Sequence, residues 1–369
     1  MQKRAQVARP AVPIKVISIA HDNWAVGYYR IGIPAYYLNS MGLCQFLLRE
    51  NIPRGDTTRE TLRIFYDTVA KSQFVIMQRT SSPVAIQFME AAQKQGVKCV
   101  VDTDDHLEAV GDLGACSMTE WWDAGNRAPI YLEGLEKCDM ITAASENLAN
   151  FYKERWPDKV YYLPNPVDTR SDRWNFPHRK YPDSPLTIGW LAGPTHARDA
   201  DLIAGPVRQI MEEYPDVLYK SVGYHPEFLD TLPQMRVIRA EPAPLEDFPA
   251  LLSDIDISLV PMLDHDFNRM KTDTKGFESV MSGCAVIASP LGEYTKWRSP
   301  ETILFAKDEQ EWLGSLRFLL DKPDRIRQVH REALRYILGF RSADIVVPRW
   351  HDAYKSVLIG NRRPSKAPE

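Results

Sequence analysis

The chain has 369 residues, room for two or three domains. Hydrophobic residues make up 44% and charged residues 25%, ordinary proportions for a globular protein, which excludes a disordered, collagenous or coiled-coil chain. A net charge of -4 gives no global field for polyanions, and no run of about 18 apolar residues is present to span a bilayer. In chain order, the basic N-terminus MQKRAQVARPAVPIKV lacks an apolar core, so no signal peptide is expected. IKVISIA (14–20) reads as the first strand, running into a glycine-containing loop and an amphipathic helix. FVIMQR (74–79), a helix over VAIQFMEAAQKQG, KCVVDTDD (98–105), CDMITAAS (138–145), a helix over ENLANFYKERW and VYYLPNPVD (160–168) follow. Short apolar runs alternating with helical patterns predict a parallel sheet. Residues 166–184 are polar, proline-bearing and aperiodic, a linker signature.

A second series then opens with LTIGWLAG (186–193) and a helix to about Tyr214. VLYKSVG (217–223), MRVIRA (235–240), IDISLVPM (255–262), AVIASP (285–290) and TILFA (302–306) read as strands, with helices between them and on to about Ile359. The expected division is an N-terminal domain over 1–170, a linker over 171–184 and a C-terminal domain over 185–340. A C-terminal helix, free to pack back on the first domain, and a tail occupy 341–369. The five cysteines are odd in number and form no C-x-x-C, so reduced thiols and a cytoplasmic protein are expected. In two open α/β domains, ligands bind beyond the carboxyl ends of the strands, in the cleft between them.

Polar residues cluster at those ends. Asn268, Lys271, Lys275 and Glu278 are spaced three, four and three apart and form one polar stripe if a single helix holds them. Two lysines at a helix N-terminus suit a diphosphate, and a carboxylate one turn deeper suits paired ribose hydroxyls. The plain alternative is a solvated Lys275–Glu278 pair. After the first strand, Gly27 lets the backbone approach a ligand and Arg30 can pair with an anion, with Tyr29 between them. Thr195 and His196 follow Gly193 at the corresponding strand end of the second series. Asp102-Thr103-Asp104 is a literal D-x-D, a pattern that holds Mg²⁺ or Mn²⁺ against a diphosphate in the GT-A class. Asp105 or His106, with Asp104, can serve as a general base, or the carboxylates simply cap the next helix. Arg79 ends FVIMQR, Asp22 directly follows His21 after the first strand as another candidate base, and Trp121 and Trp122 stand in a loop-like stretch where they could stack on a sugar or a base.

NRMKTDTKGFESVMSGCAVIAS resembles the donor-binding core of the GT-B glycosyltransferases, in the GT4-like group (glycosyl transferases group 1). It departs from the pattern at Lys271, seven residues before Glu278, where many members carry glutamate, and at Ser282-Gly283-Cys284-Ala285, where small-Gly-Pro is usual. GYYRIGIPAYYLNSMG, CDMITAASENLANFY, LPNPVD and IGWLAGPTHARD resemble the same family in the same order, so the likeness covers roughly residues 14–290. The resemblance implies a GT-B fold: two Rossmann-like, doubly wound domains facing a central cleft. It implies transfer from a nucleotide-diphosphate sugar, UDP-sugar favoured, with retention and with no metal or other cofactor. Gly193, Thr195, His196, Asn268, Lys271, Lys275 and Glu278 would hold the donor. Gly27, Tyr29, Arg30 and Arg79 would face the phosphates or the acceptor, and Asp104, Asp105 and His106 the reacting sugar. Two other readings share this fold, a nucleotide-sugar 2-epimerase and a non-catalytic sugar-nucleotide-binding module. The acceptor stays open. The basic linker, with Arg170, Arg173, His178, Arg179 and Lys180 interleaved with Trp174 and Tyr181, suits a DNA acceptor such as a flipped hydroxymethylated base of viral DNA.

Overall fold

The computed structural model describes residues 12–21, 24–49, 59–174 and 184–360. Asp22 and the linker residues His178, Arg179, Lys180 and Tyr181 lie outside them. The first sheet contains β1 (Ile14–Ile19), β2 (Cys44–Arg49), β3 (Phe74–Gln78), β4 (Lys98–Thr103), β5 (Met140–Ala143) and β6 (Val160–Tyr162). All its pairings are parallel, in spatial order β2-β1-β3-β4-β5-β6. The second contains β7 (Thr187–Ala192), β8 (Leu218–Gly223), β9 (Val237–Ala240), β10 (Ile257–Val260), β11 (Ala285–Ala288) and β12 (Leu304–Phe305). Its order is β12-β11-β10-β7-β8-β9, again all parallel. The predicted pair of doubly wound sheets is therefore present. Each strand order reverses once, between β1 and β3 and between β7 and β10, and those are the positions where such sheets open a crevice.

The central strands are buried on both faces because helices cover both sides, so FVIMQ and TIGWLA read as continuous apolar runs. β2 is the strand the sequence reading misses. It is an edge strand in which only Cys44 is fully buried, so CQFLLR carries little periodic signal. Trp121 and Trp122 stand on a helix, Ser117–Ala124, and not in a loop. Serine caps start two of the covering helices: Ser82 accepts from the Ala85 N–H at 3.2 Å, and Ser145 from the Leu148 N–H at 3.1 Å. Ser145 also ties the halves together, its Oγ donating to the Met270 carbonyl at 2.6 Å.

After the helix Pro323–Phe340 the chain crosses back. Val167 and Ser342 form a parallel bridge, and the helix Pro348–Ile359 lies on the first sheet. Its Trp350 and Tyr354 are buried with Val16, Phe74 and Ile76, and the Tyr354 and Phe74 rings sit 5.2 Å apart. Arg341, at the crossing, bonds Asp273 and Glu293 at 2.8 Å each. The five cysteines form no disulfide. Among the described residues, no helix is long and apolar enough to cross a membrane.

Candidate active site

Between the two sheets, beyond their carboxyl ends, lies a cavity of about 730 Å³. Tyr29, Arg30, Arg79, Asp104 and Asp105 line it from the first half, and Gly193, Thr195, His196, Lys271, Lys275 and Glu278 from the second. Gly27, His106 and Asn268 do not line it.

In the first half the charges are spent on one another. A helical stretch runs from Ala25 to Ser40, with a widened π-helical turn at Tyr28–Gly32. Pro34 lacks the N–H that would bond the Arg30 carbonyl, and the wider turn accommodates the gap. Gly27 is therefore helical, with φ -60°, and is not a loop glycine opening the backbone to a ligand. Arg30 is turned into the protein. Its Nη2 meets Asp102 Oδ1 at 2.7 Å, with side chains 0% and 2% exposed, and its Nη1 donates to the Leu163 carbonyl and to Asn165. Asp102 also accepts from Thr142 Oγ1 at 2.5 Å. Arg30 is thus a structural cation, not an anion receptor. Arg79 meets Asp104 at 2.6 Å and Asp105 at 2.8 Å. The D-x-D is taken up by these two arginines, and among the described residues no cluster of His, Cys, Asp and Glu suits a metal ion.

Asp105 reaches across the cleft, its Oδ1 accepting from Lys271 Nζ at 2.7 Å. Burial opposes its ionisation, but Lys271 and Arg79 outweigh burial and push its pKa down to about 2. A carboxylate so held is a weak base, against its predicted role. His106 packs edge-on against Phe151, with ring centroids 4.4 Å apart, and burial lowers its pKa. It belongs to the core under the loop. Trp122 is likewise core, against Tyr131, while Trp121 is 40% exposed with Arg127 over its ring at 4.0 Å. Arg170 pairs with Asp344, and Arg173 lies over the Tyr28 ring, so the described part of the basic linker is engaged within the protein.

The second half holds charges of another kind. The predicted stripe is broken: Asn268 belongs to a short helix, Asp266–Arg269, and only Lys275 and Glu278 lie on the helix Thr274–Met281. Asp273 stands at the N-cap, but its carboxylate accepts from Arg341 and Trp297 and makes no capping bond. Gly292, at φ +56°, lets the backbone pass under Lys271, where a Cβ would collide with the Lys271 carbonyl. Lys275 forms no ion pair among the described residues. Burial, with Lys271 beside it, lowers its pKa to about 7. Glu278 is buried and accepts from Tyr29 Oη at 2.8 Å, and burial raises its pKa to about 7. His196 Nδ1 lies 2.7 Å from Asp199 Oδ2, and burial and Lys275 lower its pKa to about 4. Asn268 sits behind this pair, its Nδ2 donating to Asp199 Oδ1 at 2.9 Å.

Sequence reasoning missed Asp199, although it belongs to the IGWLAGPTHARD segment. It also missed Gly223, Tyr224, His225 and Glu241, which wall the far end of the cavity beyond β8 and β9. Gly223, at φ +88°, was the available signal, since a Cβ there would sit 2.6 Å from the Ala192 carbonyl oxygen.

Fold and cleft define a two-domain α/β protein with a cavity between facing Rossmann-like sheets. Residues 201–345 match the family model described as Glycosyl transferase-like, and the chain has the two-domain GT-B fold. HepE of Anabaena, in complex with UDP and glucose, is similar in structure at a TM-score of 0.64 and 11% identity, over 94% of this chain and 100% of that one. A glycosyltransferase from Rickettsia africae is similar at 0.64 and 12%, over 95% and 100%. The S. aureus MnaA–UDP structure is similar at 0.54 and 12%, over 96% and 100%. At these identities the likeness is one of fold. No curated protein matches the sequence.

Proposed function

We propose that the protein transfers a sugar from a nucleotide-diphosphate sugar, UDP-sugar favoured, to an acceptor held by the first half. Lys275 carries this reading. It is a buried amine on the cavity wall that titrates near 7 and forms no ion pair among the described residues, one helical turn before the buried carboxyl of Glu278. A diphosphate supplies the charge Lys275 lacks, and Glu278 offers a carboxylate to ribose hydroxyls. As the glycosidic bond breaks, charge grows on the leaving diphosphate, where Lys275, Lys271 and the helix N-terminus stabilise it without reorganising. That charge complement is the reason to expect activity without a divalent metal. HepE and MnaA were solved with UDP, which supports a uridine nucleotide. Retention is favoured because the acceptor-side carboxylates Asp104 and Asp105 already accept from Arg79 and Lys271.

The test is UDP release from a panel of UDP-sugars in excess EDTA, with and without saccharide, lipid-linked and hydroxymethylated-DNA acceptors. Release that depends on an acceptor supports the reading. Conversion of the sugar with no acceptor would assign an epimerase. Tight UDP binding without turnover would assign a binding module, and activity rescued only by Mn²⁺ would overturn metal independence.

A further inference from the structure

His196 and Asp199 form a hydrogen-bonded pair at the cavity wall whose geometry fixes where the imidazole proton sits. Asp199 is 3% exposed, and its two oxygens have separate tasks. Oδ1 accepts from the Leu263 N–H at 2.8 Å and from Asn268 Nδ2 at 2.9 Å. The Asn268 amide is oriented by the Leu263 carbonyl, an acceptor only, 3.0 Å from the same Nδ2. With Oδ1 filled by two donors, Oδ2 is left for His196 Nδ1 at 2.7 Å. A carboxylate can only accept there, so Nδ1 carries the hydrogen and Nε2 presents a lone pair. The groups that face His196 are Asp199 on its own turn, Lys275 from the helix Thr274–Met281, Lys271 from the loop before it, and Asp105 from the first half. Glu120 and Asp123, on the helix Ser117–Ala124 beside this turn, form no ion pair with it among the described residues.

Resting on the donor-site reading above, we propose that Asp199 is a positioning residue that keeps the His196 Nε2 lone pair toward the cavity, so that the nucleoside diphosphate binds together with a proton. The free site opposes that proton because Lys271 and Lys275 stand close by. A diphosphate cancels their charge and presents oxygens to Nε2. The proton comes from solvent, sits between Nε2 and a phosphate oxygen, and returns to solvent when the nucleotide leaves.

Asp199→Asn separates this from a merely structural role. In that variant the amide oxygen must still take Leu263 N–H and Asn268 Nδ2, so the amide NH2 faces His196 and forces the hydrogen onto Nε2. The expected ¹⁵N imidazole spectrum of the free wild type, assigned by comparison with His196→Gln, shows protonated Nδ1, and Asp199→Asn shows the opposite tautomer. Calorimetry with UDP in two buffers of different ionisation enthalpy should show proton uptake in the wild type that falls in both variants. An Nε2–H tautomer in the free wild type, or unchanged uptake in the variants, overturns the proposal. If the tautomer is as expected but UDP does not bind the wild type, the donor-site reading fails and the proton coupling with it, while the positioning role of Asp199 stands.

Discussion

The two halves bring similar residue types to the same place in the same kind of sheet, yet treat them in opposite ways. In the first half, Arg30, Arg79, Asp102, Asp104 and Asp105 neutralise one another, within the half and across to Lys271. In the second, Lys275 forms no ion pair among the described residues, and Glu278 carries a carboxyl that accepts from a tyrosine hydroxyl. At Asp105 burial is outweighed by Lys271 and Arg79, whereas at Lys275 and Glu278 it wins and brings them to about 7 from opposite sides. The lesson is that a charged side chain in a cleft is informative by what it lacks. Paired charges hold the chain together, whereas buried ones without an ion pair mark a candidate ligand site.

The sharpest way to break this contrast is to remove one cation from each half. Arg30→Ala leaves Asp102 buried beside no cation and should cost about 3–5 kcal/mol in urea unfolding. Lys275→Met, by contrast, removes a desolvated lone charge and should leave stability unchanged or higher. Equal losses would show that Lys275 is structural too.

Nucleotide affinity should respond the other way round. Glu278→Gln and Lys275→Met each remove a charge-assisted contact of about 1.5–3 kcal/mol, or about 10- to 100-fold in UDP affinity by calorimetry. Lys275→Met should weaken UDP far more than uridine. Wild-type affinity in both variants would make this wall a bystander.

The pH dependence of stability sharpens the comparison further. Lys275 titrates near 7 when folded and near 10.4 when unfolded. Between those values the unfolded chain holds the extra proton, so stability rises with pH. Glu278 titrates near 7 when folded and near 4.3 when unfolded. Its contribution is fully present below pH ~4.3 and lost as pH rises to about 7. Together they place a dip in stability near neutral pH, with slopes of at most about 1.4 kcal/mol per pH unit on each side. Urea titrations from acid to alkaline pH should show the dip in the wild type and a flatter profile in Lys275→Met/Glu278→Gln.

The smallest effect concerns the contact between the halves. Asp105→Asn weakens the hold on Lys271 and should raise UDP affinity by about 0.5–1 kcal/mol, or about two- to five-fold. A fall in affinity would mean that Asp105 helps to present Lys271 to the nucleotide.

The sequence by itself determined the pair of doubly wound sheets, because strands buried on both faces must be continuous apolar runs and FVIMQ or AVIA can hardly be anything else. It also marked the segments that bring chemistry to the strand ends, since topology obliges polar residues after a buried parallel strand to meet in the cleft. It could not place β2, whose half-exposed edge carries no strong period, nor show that Asn268 and Lys275 stand on separate helices. Only the tertiary structure decided which charges are spent. Arg30 and Lys275 look alike as isolated cations after a strand or at a helix start, but Arg30 meets Asp102, 72 residues away, and Lys275 forms no ion pair among the described residues. Partners so distant in sequence are brought together by the packing of whole elements, and ionisation follows from those partners and from burial, which local sequence does not encode.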